Sequence, residues 1–162
     1  MNDKIINELS DLIEEFYSAC NSAEKNFTTI NISDDKWSLN QIIGHLIDSA
    51  SNNHQRFVRL QIDLSMSFPD YNADQWLDIQ KYNKFNFEEL VNLFYYYNKL
   101  ILNIIKFVNK DTLGNTWKIN WSNDKNTITL EELIIHYITH IKGHLKHFKE
   151  RLKEIKKYKK NK

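Results

Sequence analysis

One cysteine, one proline and three glycines in 162 residues leave little that could interrupt the chain or staple it. The lone Cys20 excludes an internal disulfide. So few breakers argue against an all-β fold, which uses glycine and proline in its tight turns, and favour long helices. No apolar run approaches the roughly 18 residues that a membrane-spanning helix needs. Asp3 and Lys4 follow Met1 where a signal peptide would build its apolar stretch, so a cytoplasmic protein is expected. An excess of one charge is also missing. Lys and Arg total 22 against 21 Asp and Glu, a net charge of +1, which excludes general attraction to nucleic acid or anionic membranes. The exception is local. Lys153, Lys156, Lys157, Lys159, Lys160 and Lys162 crowd the C-terminus, and residues 154–162 read as a solvated, fraying helix end after a domain spanning 1–153.

What the chain does have is apolar periodicity. It is 41% hydrophobic and 13% aromatic, enough for one domain with a sizeable core. Ile5, Ile6, Leu9, Leu12, Ile13, Phe16 and Cys20 recur at helical spacing and predict a first helix over 3–22. A second begins at Ser38, which with Gln41 makes a capping box, flanked by a Trp37–Ile42 staple, and runs to about Ile62. Pro69 marks a loop, and a short helix is expected from Asp74 to about Tyr82. Asn86 caps a third long helix, whose predicted core stripe includes Leu90, Leu93, Phe94, Tyr97, Leu100, Ile101, Ile104, Ile105 and Val108. Residues 110–126 break periodicity, with Trp117 to Trp121 alternating as a short strand or an ordered loop does. Thr129 and Glu132 form a second capping box. Leu130, Ile134, Tyr137, Ile141, Leu145, Phe148 and Leu152 then follow the fours and threes of a bundle seam. Four long amphipathic helices around one core predict an all-α four-helix bundle.

The chemistry gathers on the last helix. His136, His140, His144 and His147 are four of the six histidines, and they share one helical side. Taking His140 as zero, the others lie within about 40° of it, while the apolar seam centres near +100°. The ridge therefore edges the buried face, with His140 and His144 turned furthest inward. Histidines at i and i+4 can ligate one transition-metal ion. On the second helix His45 occupies the matching edge, with Asp48, Ser49, Asn52 and Arg56 within about 60° of it. Burying such a polar stripe without partners is costly, so a shared polar cavity explains it better. Two histidines from one helix and one from another make a half-shell that leaves positions open, as catalytic sites do. Interior histidines that merely hydrogen-bond fit the same spacing. The zincin pattern is excluded, because Ile141 stands where its glutamate base would be. His54 reads as a packing or surface residue.

These residues carry a family resemblance. Trp37-Ser38 followed by Ile42 to Phe57 resembles the second-helix motif of the DinB/YfiT-like superfamily. Phe68-Pro69-Asp70-Tyr71-Asn72-Ala73-Asp74-Gln75-Trp76 resembles the next segment in one bacterial branch, and Tyr137 to Leu145 resembles the closing His-x-x-x-His helix. The resemblance implies a four-helix bundle holding a divalent metal, usually zinc or nickel, on three histidines, here His45, His140 and His144. It also implies a metal-dependent hydrolase, or a transferase or isomerase using a low-molecular-weight thiol, and a possible homodimer. One departure is visible: Gly143 stands where this branch often has another histidine.

Two functions are therefore expected to compete. In the first, a metal activates water or a thiol for a small-molecule substrate, and Asp48, Asn52 and Arg56 orient ligands or hold an anionic group. No catalytic general base can be named from the sequence. In the second, the chain is a non-catalytic metal- or small-molecule-binding stress-response bundle. Tyr95, Tyr96 and Trp121 are aromatics that an interface between copies could use.

Overall fold

The computed structural model describes residues 1–67, 69–119 and 126–161. Asn120, Trp121, Phe68 and Lys162, which belong to the strand, interface, motif and tail readings, lie outside them. The long helices are α1 (Asp3–Asn21), α2 (Leu39–Arg59), α4 (Phe87–Lys106) and α5 (Leu130–Lys160), with a short α3 (Ala73–Gln80) between α2 and α4. The capping boxes are in place: Gln41 N donates to Ser38 Oγ and Glu132 N to Thr129 Oγ1, each at 3.2 Å. Asn86 Oδ1 accepts from Glu89 N at the start of α4. Ser38→Ala and Thr129→Ala are each expected to lower stability by about 0.5–2 kcal/mol. Urea denaturation checks this, and unchanged midpoints for both would show that the caps carry no weight.

Pairings between the helices give their directions. Glu8 meets Lys142 and Glu15 meets Lys149, so α1 and α5 run parallel. Tyr17 reaches Asn92 and Glu14 reaches Lys99, so α1 and α4 run antiparallel. Asn40 Nδ2 donates to the carbonyls of Tyr82 and Phe85 at one end of the α2–α4 pair, and Gln61 Oε1 accepts from Asn109 N at the other. Helices α2 and α4 are therefore parallel. The bundle is up-down-down-up, and the long segment after α2 has to travel back along the molecule before α4 can begin. Within it and beyond it, Ser65–Met66, Thr116–Lys118 and Thr127–Thr129 form a small sheet in the order β1-β2-β3, parallel then antiparallel.

The core is aromatic at its centre. Phe16 packs on Phe94 and Phe148 at ring separations of 5.0 and 5.5 Å. Every seam residue predicted for α5 from Leu130 to Leu152 is buried, and so is Ile155, within a helix that continues unbroken to Lys160. The stripe on α4 needs correction. Leu93 and Leu100 are 48% and 45% exposed, whereas Val91 and Asn98 are buried. Apolar residues flank the true seam on α4, and packing against α1 and α2 covers only the Leu90, Val91, Phe94, Asn98, Ile101, Ile105 side. Asn98 is satisfied there, its Nδ2 donating to Phe94 O and its Oδ1 accepting from Tyr137 Oη at 2.6 Å. No helix among the described residues is long and apolar enough to cross a membrane.

Candidate metal centre

Antiparallel packing of α2 on α5 brings His45 opposite His140 and His144. The Nε2 atoms of His45 and His140 lie 3.1 Å apart, so at most one of them can carry a proton. One ligand-type atom from each of the three histidines falls within 4.8 Å of the others. Two imidazole nitrogens on one tetrahedral zinc, at about 2.0–2.1 Å from it, sit about 3.3 Å apart. The observed 3.1 Å is close to that. His45 is buried, and His140 and His144 are partly so.

The electrostatics suit ligation. Burial lowers the pKa of His45 to about 4, with His147 adding to the shift and Asp74 opposing it. Burial, then the neighbouring imidazoles, lowers His140 to about 4 and His144 to about 3. All three rings are thus neutral at pH 7, the form that binds metal. Ser49 Oγ lies 3.3 Å from His140 Nδ1 and can fix that ring through its outer nitrogen. The Nδ1 atoms of His45 and His144 are buried with no hydrogen-bond partner. Three convergent neutral imidazoles, with the Nε2 atoms of His45 and His140 at ligand spacing and His144 Nδ1 buried without a partner among the described residues, fit a divalent cation better than they fit a hydrogen-bonded core.

Aromatic side chains wall the centre. Trp37 lies 5.1 Å from the ring of His45 and nearly parallel to that of His144 at 6.4 Å. Its indole donates to Asp74 Oδ1, and its carbonyl accepts from Arg151, which also contacts His147. Tyr71 stands 6.4 Å from His45 and packs on Trp76. Burial, together with the Asp48 charge, pushes the Tyr71 phenol up to about 12, so it stays protonated.

The remaining candidates separate. Asp48 is buried one turn past His45, its Oδ1 accepting from Tyr82 Oη at 2.7 Å and from Gln80 Nε2 at 2.8 Å. Its Oδ2 has no partner, and burial raises its pKa. Asn52 turns back on its own helix and donates to Asp48 O. Arg56 lies further along α2, against Trp117 and Asp70. His136 is exposed, and His54 packs edge-on against Tyr97. Gly143 is exposed and leaves open space. Reading the sequence alone did not place Trp37, Tyr71, Tyr82, Gln80 and Arg151 at the centre. The one available signal was Trp37, two turns ahead of His45 and fixed by the Ser38 cap.

No protein-family model and no curated protein matches the sequence at a significant level. Solved structures do match. YfiT from Bacillus subtilis superposes with a TM-score of 0.82 at 18% identity, over 94% of this chain and 86% of that one. The fold is DinB/YfiT-like. A DinB-like protein of the same organism matches with a TM-score of 0.62 at 12% identity, over 94% and 92%. YfiT is described as "a probable metal-dependent hydrolase with an unusual four-helix bundle topology". The DinB/YfiT-like arrangement found here, with α2 and α4 parallel, accounts for the long crossing between them.

Proposed function

We propose that this chain is a metal-dependent hydrolase holding one divalent cation, zinc or nickel, on His45, His140 and His144. The observation that carries this reading is the convergence of three neutral imidazoles from α2 and α5 within 4.8 Å. The description of YfiT supports the same activity class. A divalent cation, when bound, supplies Lewis acidity, lowering the pKa of a water or thiol and polarising a carbonyl. The chain's own groups do the rest. Ser49 steadies His140, while Trp37 and Tyr71 flank the ring of His45. The Tyr71 phenol offers a hydrogen-bond donor there. Asp48, the sole carboxylate on α2, keeps one oxygen free to hold a proton or orient a substrate group.

The test uses protein purified without a histidine tag, with elemental analysis alongside a panel of esters, amides and electrophile-plus-thiol pairs. Turnover of an ester or amide is expected to vanish on stripping the metal and return on reloading zinc or nickel. Turnover only with a thiol present would assign thiol transfer instead. Metal-independent inactivity across the panel would leave a binding bundle.

A further inference from the structure

We propose that Arg56 anchors a carboxylate of the substrate three turns along the His45 side of α2, and that Asp70 holds this anchor until the substrate displaces it. This rests on the hydrolase reading above for the reaction, but the anchor stands on its own geometry. Arg56 is eleven residues past His45 on α2, about 16 Å further along the helix axis. Its side chain is 11% exposed, with Cζ 4.7 Å over the ring of buried Trp117. A guanidinium has five N–H donors. Among the described residues its one ion-pair partner is Asp70 Oδ1, at the long distance of 3.5 Å, and its buried Nε has no partner there.

A core residue kept for packing alone would not be an arginine in this state. Burying a guanidinium whose Nε goes unmet and whose ion pair is long is costly, and an apolar side chain would cover Trp117 at less expense. A planar fork lying on an aromatic face, with Nε unpartnered beside a long Nη2 ion pair, matches a carboxylate in two-point contact. Asp70 supplies a carboxylate of the right kind from the loop between β1 and α3, but at single-contact distance. Asp70 immediately precedes Tyr71, whose ring reaches His45. The same short segment therefore lies beside both Arg56 and His45. A ligand that replaced Asp70 at Arg56 would pass under Tyr71 to reach the histidines. The substrate class that fits is an elongated carboxylic acid whose scissile amide or ester bond is several bonds from the acid group.

Benzoyl-pentaglycine and its C-terminal carboxamide are suitable probes, since five extended residues span about 17 Å. Calorimetric titration of the full chain, with and without zinc, measures both. The acid is expected to bind about tenfold more tightly than the carboxamide, since charged hydrogen bonds are worth more than neutral ones. Arg56→Met is expected to erase that preference and Arg56→Lys to keep part of it. Asp70→Asn is expected to tighten the acid severalfold and leave the carboxamide unchanged, because the internal competitor is gone. This last variant alters only a half-exposed loop carboxylate, so it remains informative if Arg56→Met does not fold. Equal binding of the two probes, no binding of the acid at millimolar concentration, or an Asp70→Asn variant that does not tighten the acid would overturn the proposal. Acid preference in a protein that holds no metal would sink the hydrolase reading and spare the anchor. Metal-dependent turnover without acid preference would do the reverse.

Discussion

Replacing His140 and His144 by alanine together is expected to abolish the stabilisation that zinc or nickel gives this protein. A ligand that binds only the folded state stabilises it by about 4 kcal/mol at a thousand times its dissociation constant. For a domain of this size each kcal/mol moves the melting temperature by about 2–4 °C, so the wild type should gain roughly 8–16 °C. The double variant retains His45 alone and should gain nothing. The metal-free proteins should also differ, in their response to acid. In the wild type the folded imidazoles of His45, His140 and His144 are held at about 4, about 4 and about 3, below the ordinary value of 6.5. Below pH 6.5 the unfolded chain takes up protons that the folded chain refuses. Stability is therefore complete above pH 6.5 and falls as pH drops toward 4, by up to about 1.4 kcal/mol per pH unit for each histidine. The double variant loses two of the three contributions and should have a flatter pH dependence in that window. Thermal denaturation at pH 7 and pH 5, with and without metal, measures both effects. An equal metal-induced rise in the two proteins would remove His140 and His144 from the ligand set.

The triad was legible in the sequence because both halves of it lie on helices. Helical spacing fixes the angle of His140 and His144 relative to the α5 seam, and the same reckoning places His45 on the facing edge of α2. The capping boxes at Ser38 and Thr129 fix where those helices begin, so the angles could be counted from a known start. The surroundings of the triad were not legible in this way. Tyr71, Gln80 and Tyr82 belong to a segment whose course depends on a long-range event, the return of the chain to the N-terminal end of α2. Asn40 pins that return by donating to Tyr82 O and Phe85 O, and no local pattern in residues 60–86 announces it. The same limit explains α4. Leu93 and Leu100 fit the apolar period as well as Val91 does, and only the positions of α1 and α2 decide which of them is covered. It explains Arg56 too. Its helical angle grouped it with the histidine edge, but three turns of rise carry it to Trp117 instead of the triad.

Gly44 is where Tyr82 of that crossing lies directly against α2. A Cβ built there would lie 2.1 Å from Tyr82 Cδ2 and 2.3 Å from its Cγ, and ring atoms on a buried side chain cannot give way as a flexible tip can. Gly44→Ala is therefore expected to destabilise the protein, although alanine is the better helix former. Overpacking of this kind costs about 1–3 kcal/mol. Displacing Tyr82 also breaks the 2.7 Å bond from its hydroxyl to Asp48, leaving a buried carboxylate short of a donor for a further loss of about 1–3 kcal/mol. Gly143 is the internal control. It lies in the middle of α5, exposed, with nothing within 4 Å of an added Cβ, so Gly143→Ala should stabilise by about 0.5–1 kcal/mol. The two substitutions are chemically identical and both fall inside helices, yet their signs should be opposite. Urea denaturation of both variants, and of Gly44→Ala in a Tyr82→Ala background, separates packing from propensity. With the ring removed, the penalty at position 44 should largely disappear, giving a coupling energy between the two sites. If Gly44→Ala instead proved as benign as Gly143→Ala, Tyr82 would not be seated against α2, and the hydrogen bond that restrains Asp48 beside the histidines would go with it.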